Sequence, residues 1–140
     1  MSRIFWDTNL FIYLFEDCGE LSQRTAELRV KMLTRGDQLL TSTLTLGEIL
    51  VKPRERGDTA LCGKYEEALT STATLLPFDV AAARIYAFLR CDRSLRAPDA
   101  MQLACAAGAR VDLFLTNDLR LQAKHVEGIQ FIAPLKQAPI

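Results

Sequence analysis

Short apolar segments alternate with helical patterns along this 140-residue chain. Arg3 to Trp6, Gln38 to Thr41 and Asp112 to Thr116 have the length and composition of buried strands, and further strand-like runs lie at 74–78 and 129–132. Stretches with apolar residues at helical spacing separate them. Parallel strands need such crossover connections, so the alternation predicts a parallel sheet with helices on both faces.

The helical patterns have identifiable ends. Gly36 follows the pattern of Glu20 to Arg35 and suits a helix C-terminus. Pro53 is expected to end the helix that begins at Leu44. The remaining helices are expected at 8–16, 58–71, 79–92 and 97–109, with a short one after a cap at Asn117 or Asp118.

Composition indicates an ordered domain with no net charge. Hydrophobic residues make up 49% of the chain, enough for a core, and 17 basic residues balance 17 acidic ones. A protein that coats DNA without sequence preference would be strongly basic. No apolar stretch approaches the roughly 20 residues of a membrane-spanning helix, and no secretory leader is evident. We therefore expect one domain over residues 1–140, in the cytoplasm, with no membrane partner.

The four cysteines do not indicate a zinc site, because none stands in a C-x-x-C pair. Cys105 lies in a run of apolar residues and is expected to be a buried free thiol. Free thiols fit a reducing compartment.

Acidic residues follow two of the predicted strands. Asp7 ends the first strand and Asp118 follows the strand at 112–116. Sites in parallel sheets form at the carboxyl ends of strands. Either residue could instead cap a helix. Asp99, after Pro98 at a helix start, could simply interact favourably with the helix dipole.

Glu48 has apolar residues on most sides of its helical wheel, so its helix is expected to be buried nearly all round. The alternative is an exposed pair with Lys52, four residues on, which would contribute about 0.2–0.5 kcal/mol. A functional role is favoured, because acids are rarely buried without a partner.

The acids together predict a metal site. Carboxylates gathered at one end of a sheet repel one another, and a divalent cation removes that repulsion. Oxygen ligands without His or Cys favour Mg²⁺, with Mn²⁺ as a substitute, and the chemistry would be phosphodiester hydrolysis. The only histidine, His125, lies in a polar segment, and neither a G-x-S-x-G nor a Walker A motif is present.

Four segments together resemble the PIN-domain family, most closely its VapC-type toxin ribonucleases. Each segment carries one of the acids, and the intervals between them are typical of compact family members. The segments are Phe5-Trp6-Asp7-Thr8-Asn9, Thr43 to Leu50 around Glu48, Ala97 to Ala104 around Asp99, and Phe114 to Asp118.

The resemblance implies a three-layer α/β/α PIN fold with a central parallel sheet of four to five strands. It implies that Asp7, Glu48, Asp99 and Asp118 are catalytic residues that bind the metal or position the attacking water. Thr8, Asn9 and Thr116 match polar positions expected to orient the site. An RNA substrate, a cognate antitoxin and a homodimer are the expected partners. The fourth segment departs from the family in having Leu119 and Leu121 where a Phe is common.

Two groups of basic residues are candidates for RNA phosphate contacts. One follows the Glu48 helix and the other precedes Asp99; solvated loops are the alternative for both. They comprise Lys52, Arg54, Arg56, Arg93 and Arg96.

Other functions remain open from sequence. A PIN ribonuclease that processes RNA without an antitoxin would have the same residues. A non-catalytic PIN-like module that binds RNA or protein usually lacks some of the acids, all of which are present here. A phosphatase of the haloacid-dehalogenase type would need an acid at position 9, which is Asn9.

Overall fold

The computed structural model describes residues 1–140 and contains one five-stranded parallel sheet in the order β3-β2-β1-β4-β5. The strands are β1 (Arg3–Trp6), β2 (Gln38–Ser42), β3 (Thr74–Leu76), β4 (Leu113–Leu115) and β5 (Phe131–Ala133). The helices are α1 (Thr8–Phe15), α2 (Glu20–Arg35), α3 (Thr43–Glu55), α4 (Thr59–Thr72), α5 (Val80–Leu89), α6 (Ala97–Gly108), α7 (Leu119–Gln122) and a final 3₁₀ turn (Leu135–Gln137).

The central strand β1 explains why this segment is so apolar. Ile4, Phe5 and Trp6 are fully buried, because strands on both sides and helices on both faces cover them. Phe5 pairs in register with Leu40 of β2 and Phe114 of β4. A strand buried in this way needs no alternation of polar and apolar residues.

Successive side chains of β1 enter two separate cores. Phe5 stacks on Phe114 with ring centroids 4.9 Å apart, in the core that includes α5 and α6. Ile4 and Trp6 lie in the opposite core, with residues of α1, α2, α3 and α4. The structure thus has helices on both faces of the sheet, which confirms the three-layer α/β/α fold.

The strand order places a topological switch point beside β1. The chain adds β2 and β3 on one side of β1 and then returns to add β4 and β5 on the other. Connections leave β1 and β4 in opposite directions, so a crevice opens at the carboxyl ends of these two strands. Asp7 and Asp118 follow these strands.

Several element ends differ from the sequence expectations. Pro53 does not end α3, which continues to Glu55. Proline removes one hydrogen bond, but the buried Pro53 lies in the last turn, where Arg56 N still donates to Lys52 O at 3.2 Å. The strands β3 and β5 occupy 74–76 and 131–133, and α5 ends at Leu89.

Cys105 of α6 is a buried free thiol, as expected. Burial, with a smaller contribution from the charge of Asp79, raises the pKa of its thiol to about 11. No helix has both the length and the apolar character needed to span a membrane.

Candidate functional site

Asp7 stands at the centre of the crevice with both carboxylate oxygens fixed. It is the N-cap of α1, and its Oδ1 accepts a hydrogen bond from Thr8 N at 2.9 Å. Its Oδ2 accepts one from the Thr116 hydroxyl at 2.7 Å. Asp7 therefore does cap a helix, as the alternative from sequence predicted. The two hydrogen bonds orient its carboxylate and leave further lone pairs free to bind a ligand.

Burial raises the pKa of Asp7 above its ordinary value of 3.8. The hydrogen bonds from Thr116 and Thr8 oppose this shift, while the negative charges of Glu48 and Asp99 add to it. The ionised carboxylate of Asp7 therefore lies where a cation would be stabilised.

Asp118 and Asp99 form the other side of the crevice. Asp118 is the N-cap of α7, and its backbone N–H donates to Thr116 Oγ1 at 3.0 Å. The same threonine hydroxyl thus contacts Asp7 and Asp118. Asp99 lies in the first turn of α6, where the helix dipole favours a carboxylate.

Two arginines bind these carboxylates. Arg120 donates to Asp118 from Nε at 3.0 Å and from Nη2 at 2.6 Å, and its Nη2 lies 3.7 Å from Asp99 Oδ2. Arg96 Nε donates to Asp99 Oδ2 at 3.2 Å, with Nη2 4.0 Å from Asp118 Oδ2. Hydrogen bonding by Arg120, the largest cause, lowers the pKa of Asp118.

Glu48 is exposed, and the expectation of a helix buried nearly all round is wrong. Only Thr45, Ile49 and Pro53 of α3 are buried, at four-residue intervals, and Glu48 lies at the edge of that stripe. Its side chain is nevertheless held, because Thr8 Oγ1 donates to Glu48 Oε1 at 2.6 Å.

A buried polar network supports Thr8 from below. Gln102 of α6 donates from Nε2 to Thr8 Oγ1 at 3.1 Å and to Thr45 Oγ1 at 2.9 Å, and its Oε1 accepts from Ser42 Oγ at 2.5 Å. Thr45 Oγ1 also lies 2.7 Å from Thr41 Oγ1. Such a network is worth most when every member has a partner, so it fixes the rotamer of Thr8 and through it Glu48.

The structure brings some predicted residues into this crevice and not others. Thr8 and Thr116 bind the acids directly, whereas Asn9 is exposed and makes no hydrogen bond to any of the four carboxylates. Arg96 forms ion pairs with Asp99 and Asp118. The other basic residues named from sequence are exposed and form no ion pair with the acids; they are Lys52, Arg54, Arg56 and Arg93.

Sequence reasoning missed Arg120, Gln102 and Thr45. A signal existed for two of them, because Gln102 follows Asp99 by three residues and Thr45 precedes Glu48 by three, which puts each pair on one helix face. Arg120 carried no such signal, since its position two residues after Asp118 on a four-residue helix follows no periodic pattern.

The donor set fits a hard divalent cation in part. No group of three His, Cys, Asp or Glu side chains is arranged so that it could hold a metal ion by itself. Mg²⁺, however, keeps several waters and is bound by only one or two carboxylates plus substrate phosphates. The oxygen-only donors and the raised pKa of Asp7 fit that requirement.

The chain belongs to the PIN-domain family, whose sequence model matches residues 4–126. No curated protein matches the sequence.

Three solved structures with a similar fold are VapBC complexes. A DNA-bound VapBC from Salmonella typhimurium has a TM-score of 0.76 at 20% identity, covering 96% of this chain and 99% of that one. VapBC2 from Rickettsia felis, bound to a promoter DNA fragment, has a TM-score of 0.74 at 12% identity, covering 94% and 98%. VapBC-5 from Mycobacterium tuberculosis has a TM-score of 0.60 at 21% identity, covering 95% and 99%. At these identities the likeness is one of fold alone.

Proposed function

We propose that this protein is a Mg²⁺-dependent endoribonuclease and the toxin of a VapBC-type toxin–antitoxin system. The observation that carries the proposal is the position of Asp7. Its carboxylate lies at the switch point of a PIN fold, has both oxygens fixed, and is subject to the negative charges of Glu48 and Asp99.

One or two of the carboxylates of Asp7, Glu48, Asp99 and Asp118 would hold Mg²⁺ or Mn²⁺, and the others would position the attacking water. When bound, the cation polarises a phosphoryl oxygen and lowers the pKa of a bound water, which is the chemistry of phosphodiester hydrolysis. Thr116 keeps Asp7 oriented. Thr8 binds only Oε1 of Glu48, so Oε2 is available to accept a hydrogen bond from a water.

The substrate and partner complete the proposal. RNA supplies phosphodiesters, and the exposed cations Lys52, Arg54, Arg56 and Arg93 would contact phosphates around the site. The solved structures named above are toxin–antitoxin complexes, which supports a protein antitoxin as partner. A homodimer, implied by the family resemblance, is proposed as the assembly.

Cleavage of total cellular RNA by the purified protein, free of antitoxin, tests the catalytic part. We expect discrete fragments with Mg²⁺ or Mn²⁺, none with EDTA, and none from Asp7→Asn. Asp79→Asn is the matched control, because Asp79 also caps a helix through its side chain but lies outside the site. Asparagine caps about as well as aspartate, so this variant should cleave normally.

Two results would contradict the catalytic proposal. Undiminished cleavage in EDTA would exclude the metal mechanism. Intact RNA after incubation with protein that binds Mn²⁺ would favour a non-catalytic binding module.

Expression in a bacterial host tests the toxin assignment separately. The wild-type chain should arrest growth, and Asp7→Asn should not. If the wild-type protein cleaves RNA in vitro but leaves growth unaffected, it is an RNA-processing PIN nuclease that acts without an antitoxin.

A further inference from the structure

Arg96 and Arg120 place two positive charges on two of the four site carboxylates. Arg120 binds Asp118 through two hydrogen bonds and lies 3.7 Å from Asp99 Oδ2. Arg96 contacts the same two carboxylates, with a hydrogen bond to Asp99 and its Nη2 4.0 Å from Asp118 Oδ2. The four side chains form a closed cluster of two cations and two anions.

The cluster is layered by exposure. The side chains of Asp99 and Asp118 are 15% and 18% exposed, whereas those of Arg96 and Arg120 are 62% and 52% exposed. The carboxylates thus form the floor of the crevice and the guanidinium groups lie at its mouth. The guanidinium groups are therefore open to a ligand that arrives at the mouth.

Support of the fold is a weak explanation for the cluster. Exposed ion pairs stabilise proteins little, because solvent screens them and two long side chains must be held in one geometry. Arg96 caps α6 without a side-chain hydrogen bond to its backbone, and Arg120 lies on a helix of four residues. Neither arginine bonds to any other element of the core.

We propose that Arg96 and Arg120 bind the RNA phosphate, and that the free protein keeps both on its own carboxylates. This inference rests on the proposed function. Guanidinium groups bind phosphate in the same two-pronged manner as they bind carboxylate. Asp99 and Asp118 cannot serve a metal ion and both arginines equally well, so cation and arginine compete for the same oxygens.

The competition couples two binding events. A phosphate that takes up the guanidinium groups exposes Asp99 and Asp118, and a cation on those carboxylates releases the guanidinium groups for phosphate. By thermodynamic linkage, each ligand raises the affinity for the other by the same factor. The arginines thereby make strong metal binding conditional on the presence of the substrate.

The coupling is measurable without turnover. Mn²⁺ affinity is determined from the electron paramagnetic resonance of the free ion, with and without AMP, which carries a phosphate but no phosphodiester. Titrations without protein correct for Mn²⁺ bound by AMP alone. For the wild-type protein we expect AMP to tighten Mn²⁺ binding at least about fivefold.

The double variant Arg96→Gln/Arg120→Gln decides the inference. Without AMP it should bind Mn²⁺ at least about fivefold more tightly than wild type, because no internal cation competes, and AMP should change that affinity much less. Arg24→Gln is the matched control. Arg24 is an exposed arginine with two hydrogen bonds to Glu20, and its loss should leave the coupling unchanged.

Each outcome separates this inference from the proposed function. Equal Mn²⁺ affinity and equal coupling in wild type and double variant would overturn the inference alone, with the metal site intact. A wild-type protein that binds no Mn²⁺ would overturn both. In RNA cleavage, the single variant Arg120→Lys should raise KM more than it lowers kcat, because it keeps the charge but loses the paired hydrogen bonds.

Discussion

Thr116 Oγ1 lies 2.7 Å from Asp7 Oδ2, so a residue that follows β4 holds the carboxylate that ends β1. The two residues are 109 positions apart in the chain. Their contact depends on the pairing of β1 with β4, and it fixes one oxygen of an acid whose pKa is raised by burial.

Replacement of Thr116 by valine should impair catalysis through Asp7. Valine keeps the shape but removes both the donor to Asp7 and the acceptor for Asp118 N. Loss of a residue that orients a metal ligand typically costs about 10–100-fold, so we expect kcat for RNA cleavage to fall by that factor. Thr116→Ser, which retains the hydroxyl, should stay within a few-fold of wild type. Equal loss in both variants would mean that packing, not the hydrogen bonds, is responsible.

Gln102→Leu should destabilise the protein, because it leaves buried hydroxyls without partners. Gln102 binds Ser42, Thr8 and Thr45 in a region closed to solvent. Each unsatisfied buried group costs about 1–3 kcal/mol in the free energy of unfolding, measurable by urea denaturation. Gln23→Leu, at an exposed position on α2, should change stability by less than about 0.5 kcal/mol. If the two variants were equally stable, the network would be of little consequence.

Asp7→Asn should abolish cleavage and, in EDTA, stabilise the metal-free protein at neutral pH. Because the pKa of Asp7 is higher in the folded state, the protonated carboxyl group stabilises the folded protein below pH 3.8. That stabilisation is lost as the pH rises through the folded-state pKa. Asparagine does not ionise. The stability difference in favour of the variant should therefore grow as the pH rises from below 3.8 through the folded-state pKa of Asp7, as followed by thermal unfolding.

A lower stability of Asp7→Asn at pH 7 would contradict this account. It would show that the hydrogen bonds from Thr8 and Thr116 to the ionised carboxylate outweigh its burial. For RNA cleavage by Asp7→Asn, we expect activity to fall by more than about 100-fold. Mutation of residues that only orient metal ligands already lowers activity by up to that factor.

Gly128→Ala should unfold more easily than wild type. Gly128 has φ +97°, and a Cβ there would lie 2.6 Å from the carbonyl oxygen of Ala107, a backbone atom of α6. Strain of this kind costs about 1–3 kcal/mol, and the clash adds to it. Gly63→Ala is the matched control. Gly63 lies inside α4 with open space around it, so alanine should stabilise by about 0.5–1 kcal/mol. A Gly128→Ala protein as stable as wild type would show that the loop moves freely away from α6.

The sequence was sufficient for the fold because the sheet is formed by local patterns. The apolar strands and the helical periods between them are properties of short segments, and their alternation favours parallel pairing. Pro53 shows the limit of local rules. Its effect on α3 depends on the hydrogen bonds of residues 54–56 and on its burial against other elements.

The burial of Glu48 could not be predicted from its helical wheel. Val51 is half exposed although it is apolar, and Thr45 is fully buried although it is polar, so the buried stripe of α3 is displaced from the apolar one. Which side of a helix faces the core depends on the position of the sheet beneath it, and that position is set by other parts of the chain.

The sequence by itself determined the identity and order of the four acids and the strands that two of them follow. Only the tertiary structure decided which hydroxyl holds which carboxylate, and that Arg96 and Arg120 lie on Asp99 and Asp118. The physical reason is the separation along the chain of the residues that interact. Strand and helix formation depends on neighbours a few residues away, whereas hydrogen bonds such as that between Gln102 and Thr8, 94 positions apart, form only after the sheet order has brought α6 beside α1.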